Sequence, residues 1–64
     1  MIYHVSLHFD NGAGVWIATS NDIRGLVMEA DTIESLKHRV HAAVPELLEL
    51  NHQELASEVV IYVV

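Results

Sequence analysis

Ile2-Tyr3-His4-Val5-Ser6-Leu7-His8-Phe9 opens the chain and leads through Asp10-Asn11-Gly12-Ala13-Gly14 into Val15-Trp16-Ile17-Ala18-Thr19. In the first stretch Tyr3, Val5, Leu7 and Phe9 alternate with His4, Ser6 and His8, the period-two pattern of a strand with one buried face and one open face. The second stretch collects residues that tolerate positive φ and side-chain-to-backbone turns. The third is rich in β formers, so the three together predict a β-hairpin. Pairing Phe9 with Val15 across the turn brings Ile2, His4, Ser6, His8, Trp16 and Ala18 onto one half-apolar face.

Downstream, a polar turn at residues 20–25 separates the hairpin from Leu26-Val27-Met28-Glu29-Ala30, short and apolar enough for a third strand. Asp31-Thr32-Ile33-Glu34 then supplies an N-cap oxygen on Asp31 and, three residues on, a carboxylate that can reach back, the pattern of a capping box. At 100° per residue, Ile33, Leu36, Val40, Ala43, Val44 and Leu47 fall on one stripe of the helix that follows. Pro45 lies inside this pattern, lacks an amide hydrogen and crowds Val44, so it could kink the helix or start a second short one, and because Leu47 and Leu48 remain in register a kink is expected. Asn51 is suited to closing the helix in a left-handed conformation. His52 to Ser57 form the return to Glu58-Val59-Val60-Ile61-Tyr62-Val63-Val64, a fourth strand apolar on both faces. The expected architecture is α+β, β-β-β-α-β, as one domain over residues 1–64.

The 64 residues contain no cysteine, so neither a disulfide nor a thiolate metal site can supplement a small core. A chain of this size commonly gains the missing stability from an oligomer or a partner. Nine Asp and Glu against three Lys and Arg give a formal charge of −6, which disfavours direct nucleic-acid binding and matches a basic protein. The longest apolar run, Val59 to Val64, has six residues against the roughly 20 needed for a membrane span. No basic start followed by an apolar stretch marks a secretory signal, which makes the cytoplasm the expected location.

Four further stretches carry a resemblance: Val15-Trp16-Ile17-Ala18-Thr19-Ser20, Asp22-Ile23-x-Gly25-Leu26-Val27, Glu29-Ala30-Asp31-Thr32-x-Glu34-x-Leu36 and Ala43-Val44-Pro45-Glu46-Leu47-Leu48. Taken together, over about residues 3 to 52, they resemble the short stand-alone branch of the HicB-like antitoxin superfamily. The resemblance implies a partial ribonuclease H fold. In that fold a three-stranded antiparallel meander is followed by a helical crossover to a fourth strand parallel to the first, in spatial order 3-2-1-4, with one helix on one face. It also implies a role, since HicB-like antitoxins bind and mask a small basic RNA-cleaving toxin. The usual turn Asp-x-Pro-Gly-Cys reads Asp22-Ile23-Arg24-Gly25-Leu26 here. No segment of the DNA-binding kind that full antitoxins carry is expected within these residues.

The candidate interface residues are His4, His8, Trp16, Asp22, Arg24 and Tyr62. Trp16 is either the centre of an interface on the open face or an indole folded under the turn at residues 20–25. Asp22 can accept amide hydrogens within that turn and Gly25 can supply positive φ, while Arg24 is either a plain turn residue or an exposed contact. Tyr62 belongs to a strand that the expected order places at an edge, where a second copy can pair to give a homodimer unless further residues cover it. Glu34, His38 and His41 follow i, i+4, i+7 on one helix flank and are the only metal candidates. A solvated helix face is the simpler account of them, and no cofactor is expected. Strands one and two carry no carboxylate of the kind a two-metal nuclease needs, so an enzyme is not expected. Two functions remain: an antitoxin-like domain that occludes a basic toxin, or a structural or regulatory homodimer with no toxin partner.

Overall fold

The uninterrupted alternation at the N-terminus forms β1 (Ile2–Asp10), and the computed structural model, which describes all 64 residues, places it in the middle of the sheet. β2 (Val15–Thr19) returns antiparallel to it, β3 (Val27–Ala30) pairs antiparallel with β2, and β4 (Glu58–Val63) lies parallel to β1. The sheet order is β3-β2-β1-β4, with the single helix α1 (Ile33–Leu50) as the crossover. This is the expected β-β-β-α-β architecture and strand order. No helix is long and apolar enough to cross a membrane.

The helix lies on the sheet through Leu36, Val40, Val44 and Leu48, four residues apart and all buried, with Ile33, Ala43 and Leu47 half-buried beside them. Tyr3, Val5 and Leu7 of β1 and Ala18 of β2 meet that stripe. Ile23 and Leu26, from the connection between β2 and β3, complete a core of 10 buried residues.

Both ends of α1 differ from expectation by one residue. Thr32, not Asp31, is the N-cap: its backbone is extended and its Oγ1 accepts the Ser35 amide at 3.2 Å. Two neighbouring side chains could each have capped, and the backbone turns helical directly after the second. At the other end Asn51 stays in the right-handed region with φ −84°, and the left-handed residue is His52 at φ 56°. The His52 amide donates to the Glu49 carbonyl and the Gln53 amide to the Leu48 carbonyl, the paired bonds of a Schellman motif with His52 in the place glycine normally holds. The helix also runs through Pro45 as one element and starts no second helix there.

A left-handed conformation costs an L side chain about 1–2 kcal/mol, part of which glycine returns as extra freedom in the unfolded chain. We therefore expect His52→Gly to stabilise the domain by about 0.5–1 kcal/mol, read as a higher urea midpoint at unchanged slope. A midpoint that stays put or falls would mean the His52 side chain contributes more than its backbone costs.

Candidate protein-interaction site

The sheet has only one helix, so its second face carries no layer of protein, and the register decides which side chains reach it. β1 and β2 pair with Asp10 opposite Val15 and Phe9 opposite Trp16, not with Phe9 opposite Val15. A shift of one residue sends every side chain of a strand to the other face. Trp16 and Ala18 therefore lie on the helix side, correcting the placement read from the sequence. Trp16 is half-buried there against the core, edge-on to Phe9 with ring centroids 5.4 Å apart. In their place the open face receives Val15, Ile17 and Thr19 of β2, joined by His4, Ser6 and His8 of β1. Val27 and Glu29 of β3 and Val60 and Tyr62 of β4 extend it to both edges. Its exposed apolar members include Ile2, Val27 and Tyr62.

One end of this face is built by the connection between β2 and β3. β2 stops at Thr19, opposite Ser6, which leaves the backbone groups of His4 without a strand partner on that side. Ser20 and Asp22 replace the missing strand: Ser20 Oγ donates to the His4 carbonyl at 2.6 Å, and Asp22 Oδ2 accepts the His4 amide at 2.7 Å. Ser20 Oγ also accepts the amides of Asp22 and Ile23, both at 3.0 Å. Capping of the turn thus falls to Ser20. Asp22, expected to bond within its own turn, reaches across to β1 instead. Gly25 has φ 84°, the positive value anticipated for it.

The segment after the helix holds the same turn from the other side. Gln53 Nε2 donates to the Asp22 carbonyl at 2.9 Å and Asn51 Nδ2 to the Arg24 carbonyl at 2.6 Å, while Gln53 Oε1 accepts the Arg24 amide. Arg24 is thereby fixed through its backbone, with the residue exposed and its guanidinium in no ion pair. The parts played by Ser20, Asn51 and Gln53 have no local pattern in the sequence, because each depends on two segments distant in the chain meeting.

Asp22 Oδ2 also meets His4 Nδ1 at 3.0 Å, a contact that is an ion pair only with the ring protonated. The His4 amide first, and the His4 ring second, hold the Asp22 carboxyl below the usual aspartate range. A carboxyl depressed by folding lends stability above its unfolded pKa of about 4 and loses it as the pH falls through the lower folded value. Between about pH 5 and pH 2 the native chain is therefore expected to lose more stability than Asp22→Asn does, followed by urea midpoints at each pH. Parallel declines for the two proteins would contradict this.

His4, Ser6, Thr19, Ser20, Asn21, Asp22 and Tyr62 surround a cleft of about 170 Å³ on the open face. Of the six interface candidates, the structure gathers His4, Asp22 and Tyr62 here. It leaves His8 further along β1 opposite Ile17, Arg24 on the outer side of the turn, and Trp16 on the opposite face. Glu34, His38 and His41 are all exposed on α1, and no group of three His, Asp or Glu side chains lies close enough to hold an ion.

Fold and site together define a small α+β domain in which one helix covers one face of a mixed four-stranded sheet and the other face stays bare. Residues 2–64 match the model of the family described as domain of unknown function DUF1902, and the chain belongs to that family. Among solved structures it is similar to hypothetical protein TTHA1013 from the extremely thermophilic bacterium Thermus thermophilus. The identity is 39% and the TM-score 0.84, over 100% of this chain and 90% of that one. No curated protein matches the chain.

Proposed function

We propose that this chain is a protein-binding domain of the HicB-like antitoxin type, which masks a small basic RNA-cleaving toxin in the cytoplasm and also self-associates. The observation that carries the reading is the bare face of the sheet, where Ile2, Val27 and Tyr62 are 51%, 73% and 45% exposed in a chain with only 10 buried residues. Apolar side chains interleaved with hydroxyls and imidazoles make a surface suited to a protein, since interfaces mix apolar area with polar groups that fix register. A formal charge of −6 favours a basic partner and speeds its encounter.

Affinity capture from the source cell, at low and at moderate salt, tests this. The expected result is a small basic protein retained at low salt, identified by mass spectrometry, and released as ionic strength rises. Recovery of no basic protein under either condition would count against the toxin-masking reading.

The edge of β4 supports the alternative of a structural or regulatory homodimer with no toxin. Tyr62 and Val63 at the end of this strand are exposed, and the strand holds no Lys or Pro, so a second copy can extend the sheet at this edge. Sedimentation of the purified chain separates the two readings: a stable dimer that captures nothing favours the alternative.

A further inference from the structure

We infer that the cleft between His4, Asp22 and Tyr62 is the seat of an arginine side chain of the basic partner, an acceptor-lined socket for one guanidinium group. The inference rests on the reading that the open face binds a basic protein, and it names the contact that would fix register there.

The polar atoms left free in the cleft decide which ligand fits it. Ser20 Oγ donates once, to the His4 carbonyl, and accepts two amides, so it is saturated. Asp22 Oδ2 already takes both the amide and the ring of His4. What remains for a ligand is the second carboxylate oxygen of Asp22, the side-chain amide of Asn21, the hydroxyls of Ser6 and Thr19 that share one hydrogen bond at 3.1 Å, the Tyr62 hydroxyl, and His4 Nε2. An ionised carboxylate only accepts, so the proton in the 3.0 Å contact between His4 and Asp22 belongs to Nδ1. In the neutral ring that leaves Nε2 as an acceptor too.

The cleft therefore offers a carboxylate oxygen, the Asn21 amide oxygen, several hydroxyl oxygens and, with the ring neutral, an imidazole nitrogen, and it contains no Lys or Arg. Such a lining suits a group made only of donors. A planar guanidinium has five of them, in a fork that matches a carboxylate. The volume of about 170 Å³ is that of a single side-chain head rather than a peptide segment. Asp22 is held in place, because its Oδ2 takes both the amide and the ring of His4. A free carboxylate on a mobile surface loop would offer charge without this placement.

The test is an NMR titration of the full chain with N-acetyl-arginine amide, set against N-acetyl-glutamine amide and inorganic phosphate. Saturable shifts confined to Ser6, Thr19, Asn21, Asp22 and Tyr62 are expected with the arginine compound alone. Asp22→Asn should weaken binding about tenfold, as loss of a hydrogen bond to a charged group implies. Because Asp22→Asn also loosens the turn, Tyr62→Leu provides a second readout on β4 that leaves the Ser20 and Gln53 contacts in place. It removes the Tyr62 hydroxyl and should weaken binding about threefold, the size of one lost hydrogen bond. Equal binding of the glutamine compound, saturable binding of phosphate, or shifts scattered over the acidic surface and unchanged in both variants would overturn the assignment. Failure of the broader reading looks different. A basic partner captured as tightly by the Asp22→Asn, Tyr62→Leu double variant as by the native chain removes this socket but keeps the partner. Arginine binding with no partner captured does the reverse.

Discussion

Replacing Leu36 by alanine is expected to remove most of the domain's stability at room temperature. Leu36 is fully buried in the first turns of α1 and is the first of the four residues through which the helix touches the sheet. A Leu→Ala change in a core costs about 2–5 kcal/mol, part for lost transfer free energy and part for the cavity left behind. A domain of this length has a total stability of about 3–10 kcal/mol, and small domains sit near the lower end. The two magnitudes overlap, so one substitution consumes most of the margin. Circular dichroism in a urea titration should show the folded baseline shortened or absent for Leu36→Ala. The neighbouring exposed Lys37→Ala should stay within about 0.5 kcal/mol of the native chain. A Leu36→Ala protein with a native midpoint would mean that the helix is not the main lid on the sheet.

The second large effect is expected at Ile23, a residue of irregular backbone that is nonetheless fully buried. Its side chain anchors the turn from below, while Ser20 and Gln53 hold it from the sides. Ile23→Ala should cost about 2–4 kcal/mol, because the site lies in the core and the surrounding elements limit its collapse. Its local consequence is of more interest than its size. The clip between Asp22 and His4 depends on the turn staying seated, so amide hydrogen exchange at His4, Asp22 and Ile23 should accelerate more than exchange within α1. Uniform acceleration across the chain would show that the turn opens only with the whole domain.

Strands β1 and β2, the helix and its buried stripe as far as Val44 are legible in the sequence because each rests on periodicity, which survives without knowledge of tertiary contacts. Past Pro45 the buried residue is Leu48, where the stripe pointed to Leu47. The hairpin register is not legible. Asp10-Asn11-Gly12-Ala13-Gly14 reads equally well as a turn that begins after Phe9 or after Asp10. Only the bond from the Gly14 amide to the Asp10 carbonyl, at 2.7 Å, closes it in the latter form. That single residue moves Trp16 from the open face to the helix side. The left-handed residue is likewise displaced by one position: Asn51 is the better left-handed former, but its amide group is engaged by Arg24 and Gln53. Of the candidate site, His4 is legible as an outward residue of its strand and Tyr62 only as a member of an edge strand, because the last strand is apolar on both faces. The Asp22 contact is not, since it joins residues 18 positions apart.

The proposed role requires that another polypeptide complete the bare face of the sheet. Affinity capture with the native chain and with Ile2→Glu and Val27→Glu probes this, since the two residues are exposed on that face, on separate strands, and their substitution leaves the core untouched. Both variants should keep the native circular dichroism and lose the protein partner that the native chain retains. Folded variants that hold the same partner at the same salt concentration would show that the open face is not where it binds.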